Sequence, residues 1–178
     1  MRIDQYSSSI RPARLIGLVA GGLLVTGPLA IRAEAQNASG GGTYFVEPGI
    51  RSEFQFNQAH VQCKIGHTVM ADGTVLQMFM FSTSVDSVSV DPVAKTVTIT
   101  GSMVSMVNLR FPDGTTANLS ETVPYTAHGK DNGTPGGDGD FFSLTVLYQD
   151  TPGLDQFELF GSPATFGGVL ATGNVTIK

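Results

Sequence analysis

From residue 52 onward, apolar and polar residues alternate along most of the chain. In SEFQFNQ, residues 52 to 58, Phe54 and Phe56 fall on one face and Glu53, Gln55 and Asn57 on the other, the two-residue period of a half-buried β-strand. The β-favouring run from His60 to Met70 leads to Ala71-Asp72-Gly73, a tight hairpin turn into TVLQMFMFS, residues 74 to 82. DSVSVDP, 86 to 92, alternates serine with valine and stops where Pro92 removes a ladder donor. KTVTITGSMVSMVNLRF, 95 to 111, predicts one long strand or two, with a bulge at Gly101. Pro112-Asp113-Gly114 is a second hairpin turn, and FFSLTVLY (141–148), QFELFG (156–161) and NVTIK (174–178) complete the pattern. No window repeats apolar residues at the three-and-four spacing of a helix.

Eight to ten strands separated by Gly, Pro, Asp and Asn turns predict an all-β, antiparallel β-sandwich or jelly-roll-like single domain over residues 43–178. Its core candidates are Phe54, Phe56, Val75, Leu76, Phe79, Phe81, Val97, Ile99, Leu144, Val146, Phe157, Leu159 and Ile177. Ahead of the domain, QNASGGG, residues 36–42, reads as a flexible leader of small polar residues.

The first 35 residues carry an address rather than a fold. Arg2, Arg11 and Arg14 form a basic head, residues 15 to 31 an apolar run, and Ala33-Glu34-Ala35 a small-x-small cleavage pattern, so 1–35 is expected to be a signal peptide. The product is then secreted, extracellular or periplasmic, and free of the membrane once the signal is removed. Four of the ten basic and two of the fifteen acidic residues lie in that segment, which leaves six against thirteen and a net charge of minus seven. This balance argues against nucleic acid, whose affinity comes from cations meeting phosphates, and supplies no polybasic patch for an anionic membrane. A lone cysteine, Cys63, makes no internal disulfide, so stability has to come from packing.

The strand pattern, Thr100-Gly101 closing a strand, Asp131-x-Gly133…Gly136-Gly137…Asp140-Phe141 and the closing Gly173-Asn174-Val175-x-Ile177 resemble small β-sandwich domains of exported bacterial surface proteins, the kind appended beside choice-of-anchor modules. That resemblance implies a sandwich fold and export, and no assigned activity. The chain departs from many such domains in having LTVLYQD where they carry a tryptophan-containing strand.

Two clusters carry candidate chemistry. DNGTPGGDGD, residues 131–140, offers Asp131, Asn132, Asp138 and Asp140 as oxygen ligands for calcium, although Phe142 stands where an EF-hand loop needs its glutamate. The alternative is a solvated loop in which glycines permit turns and aspartates bond locally. Cys63, His67 and Met70, near His60, have the order of a cupredoxin-like copper loop, with His128 as the only distant histidine. Against this, a strand throws His60 and Cys63 to opposite faces, and a buried thiol behaves as a small hydrophobe. No nucleophile motif is present, and Glu53, Glu121 and Glu158 read as solvent-facing strand positions rather than a catalytic carboxylate pair. The expectation is a non-catalytic exported β-sandwich module with a structural or binding role at the cell surface or outside the cell, its partner a protein or glycan surface component, or alternatively a metal-binding protein using one of these clusters.

Overall fold

The computed structural model describes residues 37–47, 50–133, 139–148 and 162–178. The expected signal peptide lies outside them, as do Asp138, Phe157, Glu158 and Leu159. The described residues form eight strands in order: β1 (Ala38–Glu47), β2 (Ile50–Asn57), β3 (His60–Val69), β4 (Val75–Asp91), β5 (Thr96–Arg110), β6 (Thr116–Lys130), β7 (Phe141–Val146) and β8 (Ala164–Ile177). Each pairs antiparallel with its neighbour in sequence. β8 returns to β1, with Ala38 opposite Ile177 and Tyr44 opposite Leu170, and the sheet closes into a barrel.

The antiparallel all-β expectation holds, and the sandwich or jelly-roll expectation does not. Alternation makes one face of a sheet apolar, and that face can be covered by a second sheet or by curling the first one round on itself. Here β4, β5 and β6 run for 17, 15 and 15 residues, long enough for right-handed twist to coil the sheet strongly. Closure also removes the exposed strand edges that an open sheet would leave.

The seam lies in a segment expected to be flexible. Residues 38–42 of the supposed leader form the first half of β1, and Gly42 pairs with Gly173 of β8. Gly173 has φ 108°, and a Cβ there would meet the backbone of Gly41 and Gly42. Small residues therefore fill the seam because nothing larger fits between the two strands.

Both expected hairpin turns form. Gly73 and Gly114 take positive φ, and the Asp72 and Asp113 side chains accept the amides of Thr74 and Thr115 at 2.8 and 2.9 Å. The Thr74 amide and hydroxyl hold the Asp72 carboxyl below the usual carboxylate range, and the Thr115 hydroxyl and then its amide do the same for Asp113. The bulge expected at Gly101 belongs to the partner strand. β4 shifts register between Ser82 and Ser84 and again between Val85 and Ser87, opposite Gly101 and Ser102, and the missing side chain of Gly101 leaves room for the Ser84 carbonyl. Segments 74–82 and 86–92 are thus one bulged strand.

The interior is layered. At the end holding the β2–β3, β4–β5 and β6–β7 connections, Phe142 stacks on Phe54 with centroids 4.1 Å apart, and Phe56 lies 5.8 Å from Phe142. Val97, Ile99, Leu144, Val146 and Ile177 are buried in the core as expected. On β4 the inward positions are Leu76, Met78 and Met80; Val75, Phe79 and Phe81 take the opposite parity and are half-exposed on the outer wall. Hydrophobicity alone puts the aromatic residues of FMF in the core, but the register of β4 assigns that role to the methionines.

Candidate functional site

The loop between β6 and β7 is a clasp on β8. β7 pairs with β8 only from Ala164 to Val169, so beyond that point one edge of β8 lacks a strand partner among the described residues. Two carboxylates stand in for it. Asp140, fully buried, accepts the amide of Val175 at 2.7 Å on one oxygen and that of Asn132 at 2.9 Å on the other. Asp131 accepts Ile177 at 3.1 Å and Gly133 at 2.8 Å. The Asn132 side chain donates to the Gly139 carbonyl, and Lys95 donates from Nζ to the Ile177 carbonyl at 2.9 Å. The structure therefore brings Asp131, Asn132 and Asp140 together, with all four carboxylate oxygens engaged by backbone N–H groups. Asp138 lies outside the described residues. Among the described residues, no three His, Cys, Asp or Glu side chains converge where one metal ion could sit.

The copper arrangement is not assembled. Cys63 points into the barrel, His67 is exposed, and Met70 packs beside the core at the far end of β3. The His60 ring lies beside Ser82 and Gln62, while His128 is on β6 beside Thr98. Strand parity separates the thiol from His60, and the register shift between Ile65 and Thr68 leaves His67, four residues on, exposed outside the barrel.

What the barrel does assemble is a band of polar groups across its middle. Tyr44 Oη and Cys63 Sγ share a hydrogen bond of 3.1 Å, and Ser105 Oγ and Tyr148 Oη share one of 3.0 Å. Tyr148 Oη also approaches Met78 Sδ at 3.9 Å. Burial pushes the Cys63 thiol up to about 11, and burial together with the neighbouring thiol raises the Tyr44 phenol. Tyr148 is raised too, first by burial and then by the charge of Glu121. Ser52 Oγ, on the inward face of β2, lies beside the Tyr44 hydroxyl, which it helps to stabilise, without a hydrogen bond of full geometry. Glu121 pairs with Ser105 across β5 and β6 on the same inward parity, so it is not the solvent-facing residue its sequence context suggests. Glu53 is exposed as expected.

Sequence reasoning missed this band because its members stand on five strands and on the segment after β7, and only Cys63 belongs to a motif, one that points to different chemistry. The available signal was parity: Glu121 is in step with Val123, Tyr125 and Ala127, which are buried.

Beyond the band, at the end holding the β1–β2 and β3–β4 turns, a recess of about 450 Å³ opens between β8, β1, β2, β3 and β4. Its walls include Val46, Ile50, Ile65, Leu76, Ala164 and Phe166. Ile65 lines the recess and is the cross-strand partner of Ser52, so recess and band adjoin. On the outer wall a second depression, about 420 Å³, lies among Gln55, Gln62, Lys64, Phe79, Phe81 and Met106, with Lys64 Nζ 5.4 Å from the Phe79 ring centre.

No protein-family model, characterised protein or solved structure matches this chain.

Proposed function

We propose that this chain is an exported, non-catalytic β-barrel that binds a small, largely apolar molecule through one end. The recess carries this reading: its volume falls within the range of small-molecule sites, and its walls combine aliphatic and aromatic side chains with polar groups that include Thr68 and Thr165. Eight strands enclose just enough room for packed side chains or one small ligand. Export is supported by the basic head, the apolar run and Ala33-Glu34-Ala35. Freedom from the membrane is supported by the sense of the alternation. The outward faces carry Gln55, Gln62, Lys64, Thr98 and Thr122 while phenylalanine and methionine fill the lumen, the reverse of a membrane-spanning barrel.

The test is titration of the mature protein with N-phenyl-1-naphthylamine, an uncharged apolar fluorophore. Val69→Trp at the rim of the recess supplies the only tryptophan for energy transfer, since the chain has none. Saturable enhancement with transfer from the introduced indole is expected; absence of enhancement together with an unmoved melting temperature refutes the reading. A second reading is favoured by the outer depression, where two glutamine amides flank Phe79 and Phe81: that wall would dock a glycan. Binding of soluble polysaccharide that is lost in Phe81→Ala distinguishes it.

A further inference from the structure

We infer that the outer wall carries one extended groove for an uncharged glycan of about four sugar units, running from Phe81 on β4 across β3, β2 and β1 to Asn174 on β8. This rests on the reading of the outer depression as a glycan site, and adds to it the length, the charge and the far end of the ligand.

Strand register lines the groove up. Phe81 stands opposite Gln62, Gln62 opposite Gln55, Gln55 opposite Gly41 and Gly41 opposite Asn174, all on the outward face. The depression beside Phe79 and Phe81 continues into a second, of about 470 Å³, whose lining includes Ser39, Gly41, Asn57, Asn174 and Thr176, and the two share Phe54 and Gln55. Gly41 is the floor between Asn174 and Gln55, and it is the exception at the seam. A Cβ on Gly40 would press on the Phe56 ring and one on Gly42 on the Thr172 carbonyl, whereas one on Gly41 would lie 3.5 Å from the Phe54 carbonyl oxygen, in ordinary contact. Nor does Gly41 take a positive φ. Glycine weakens a strand, and with neither packing nor backbone requiring it here, an open floor for a closely approaching ligand accounts for it.

The lining selects the occupant. Gln62 donates from Nε2 to Gln55 Oε1 at 3.0 Å, and Asn174 donates from Nδ2 to Thr176 Oγ1 at 2.8 Å. Gln55 Nε2 is thereby left to donate and Asn174 Oδ1 to accept on either side of the Gly41 floor, a match for adjacent sugar hydroxyls, each of which does both. At the other end Phe81 offers ring surface to the apolar face of a sugar. From Gly41 to Phe81 is three strand spacings, about 14 Å or roughly three sugar units, so a chain that fills both ends has about four. The charged residues lining the two depressions, Glu53 and Lys64, face each other across β2 and β3, so the groove offers an acidic polymer no net charge. A polypeptide strand has no edge to join, because β1, β2 and β3 are paired on both sides.

The experiment is calorimetric titration of the mature protein with cellobiose, cellotetraose and cellohexaose, uncharged chains of graded length, and with tetragalacturonate. It is run on the wild type, Gly41→Val, Asn174→Ala and Phe81→Ala, with circular dichroism to confirm folding and sedimentation to read the oligomeric state. Cellotetraose is expected to bind about 10-fold more tightly than cellobiose, the scale of one or two added hydrogen bonds, and cellohexaose to come within about 2-fold of it. G41V and N174A should each weaken cellotetraose by about 3- to 10-fold. Should G41V not fold, N174A decides. Equal affinity for cellobiose and cellotetraose, or binding that only F81A weakens, overturns the inference while leaving the glycan reading of the outer wall standing. Tighter binding of tetragalacturonate than of cellotetraose overturns it too, and so does a dimer that G41V dissociates, which would give the wall to a second copy. If none of these sugars binds, both the inference and the glycan reading fall.

Discussion

Replacing Asp140 by asparagine tests the clasp with almost no change in shape. The carboxylate is buried and accepts two amides, Val175 N at 2.7 Å and Asn132 N at 2.9 Å. Asparagine keeps one acceptor and turns an NH₂ toward the other amide, so a donor faces a donor. A hydrogen bond to a charged group contributes about 1.5–3 kcal/mol, and leaving a buried donor unsatisfied costs about 1–3 kcal/mol. D140N should therefore lose about 2–3 kcal/mol, and D140A, which leaves both amides unpaired, about 3–5 kcal/mol. For a domain of this size, D140N corresponds to a fall in melting temperature of roughly 6–12 °C. The assay is urea unfolding followed by far-ultraviolet circular dichroism, in EDTA and again with excess calcium. A clasp made of backbone amides predicts the same loss in both buffers. Stability of D140N within about 0.5 kcal/mol of wild type refutes the clasp, and a loss seen only with calcium present would transfer the role to a bound ion.

Gly173→Ala should destabilise by about 2 kcal/mol or more, because φ 108° is strained for alanine and the new methyl meets the Gly41 and Gly42 backbone; thermal melting checks it, and a neutral result means the seam is looser than described. Phe142→Ala removes the ring against which Phe54 and Phe56 stack and should cost about 3–5 kcal/mol, whereas Phe81→Ala on the outer wall should cost under about 1 kcal/mol; equal losses in urea unfolding would contradict the register of β4. The Cys63 thiol should resist Ellman's reagent at pH 8 in the folded protein and react fully in urea; rapid native reaction would show that it is not enclosed. Its folded pKa of about 11 lies above its ordinary value of 9.0, so below pH 9 it is protonated in both states and adds no pH dependence. As pH rises from 9 toward 11 the unfolded chain releases this proton first, and stability should fall by roughly 3 kcal/mol in all, a loss that Cys63→Ala should lack in a comparison of urea midpoints at pH 8 and 10.5.

Local chemistry was legible residue by residue. Strand parity from Phe54 to Phe56 and from Val97 to Ile99, the two Asp-Gly turns, and the end of β4 before Pro92 each depend on groups within a few positions of one another, and each is present in the structure. The 131–140 loop was legible as a cluster of acceptors, while what those acceptors hold was not. The amides of Val175 and Ile177 need them only because β7 stops pairing with β8 at Val169.

β1 illustrates the other side. SGGG has low strand propensity and reads as linker, yet it is a strand because β8 approaches so closely that only small residues fit, and β8 approaches because the sheet has already curled. Barrel and sandwich share the same alternation, since both bury one face of a pleated sheet. Choosing between them depends on whether the first strand pairs with the last, a contact between the two ends of the domain that no local pattern encodes. The inward turn of Glu121 and the gathering of Ser52, Tyr44, Cys63, Ser105 and Tyr148 follow from that closure, because only a closed wall points every second residue at a common axis.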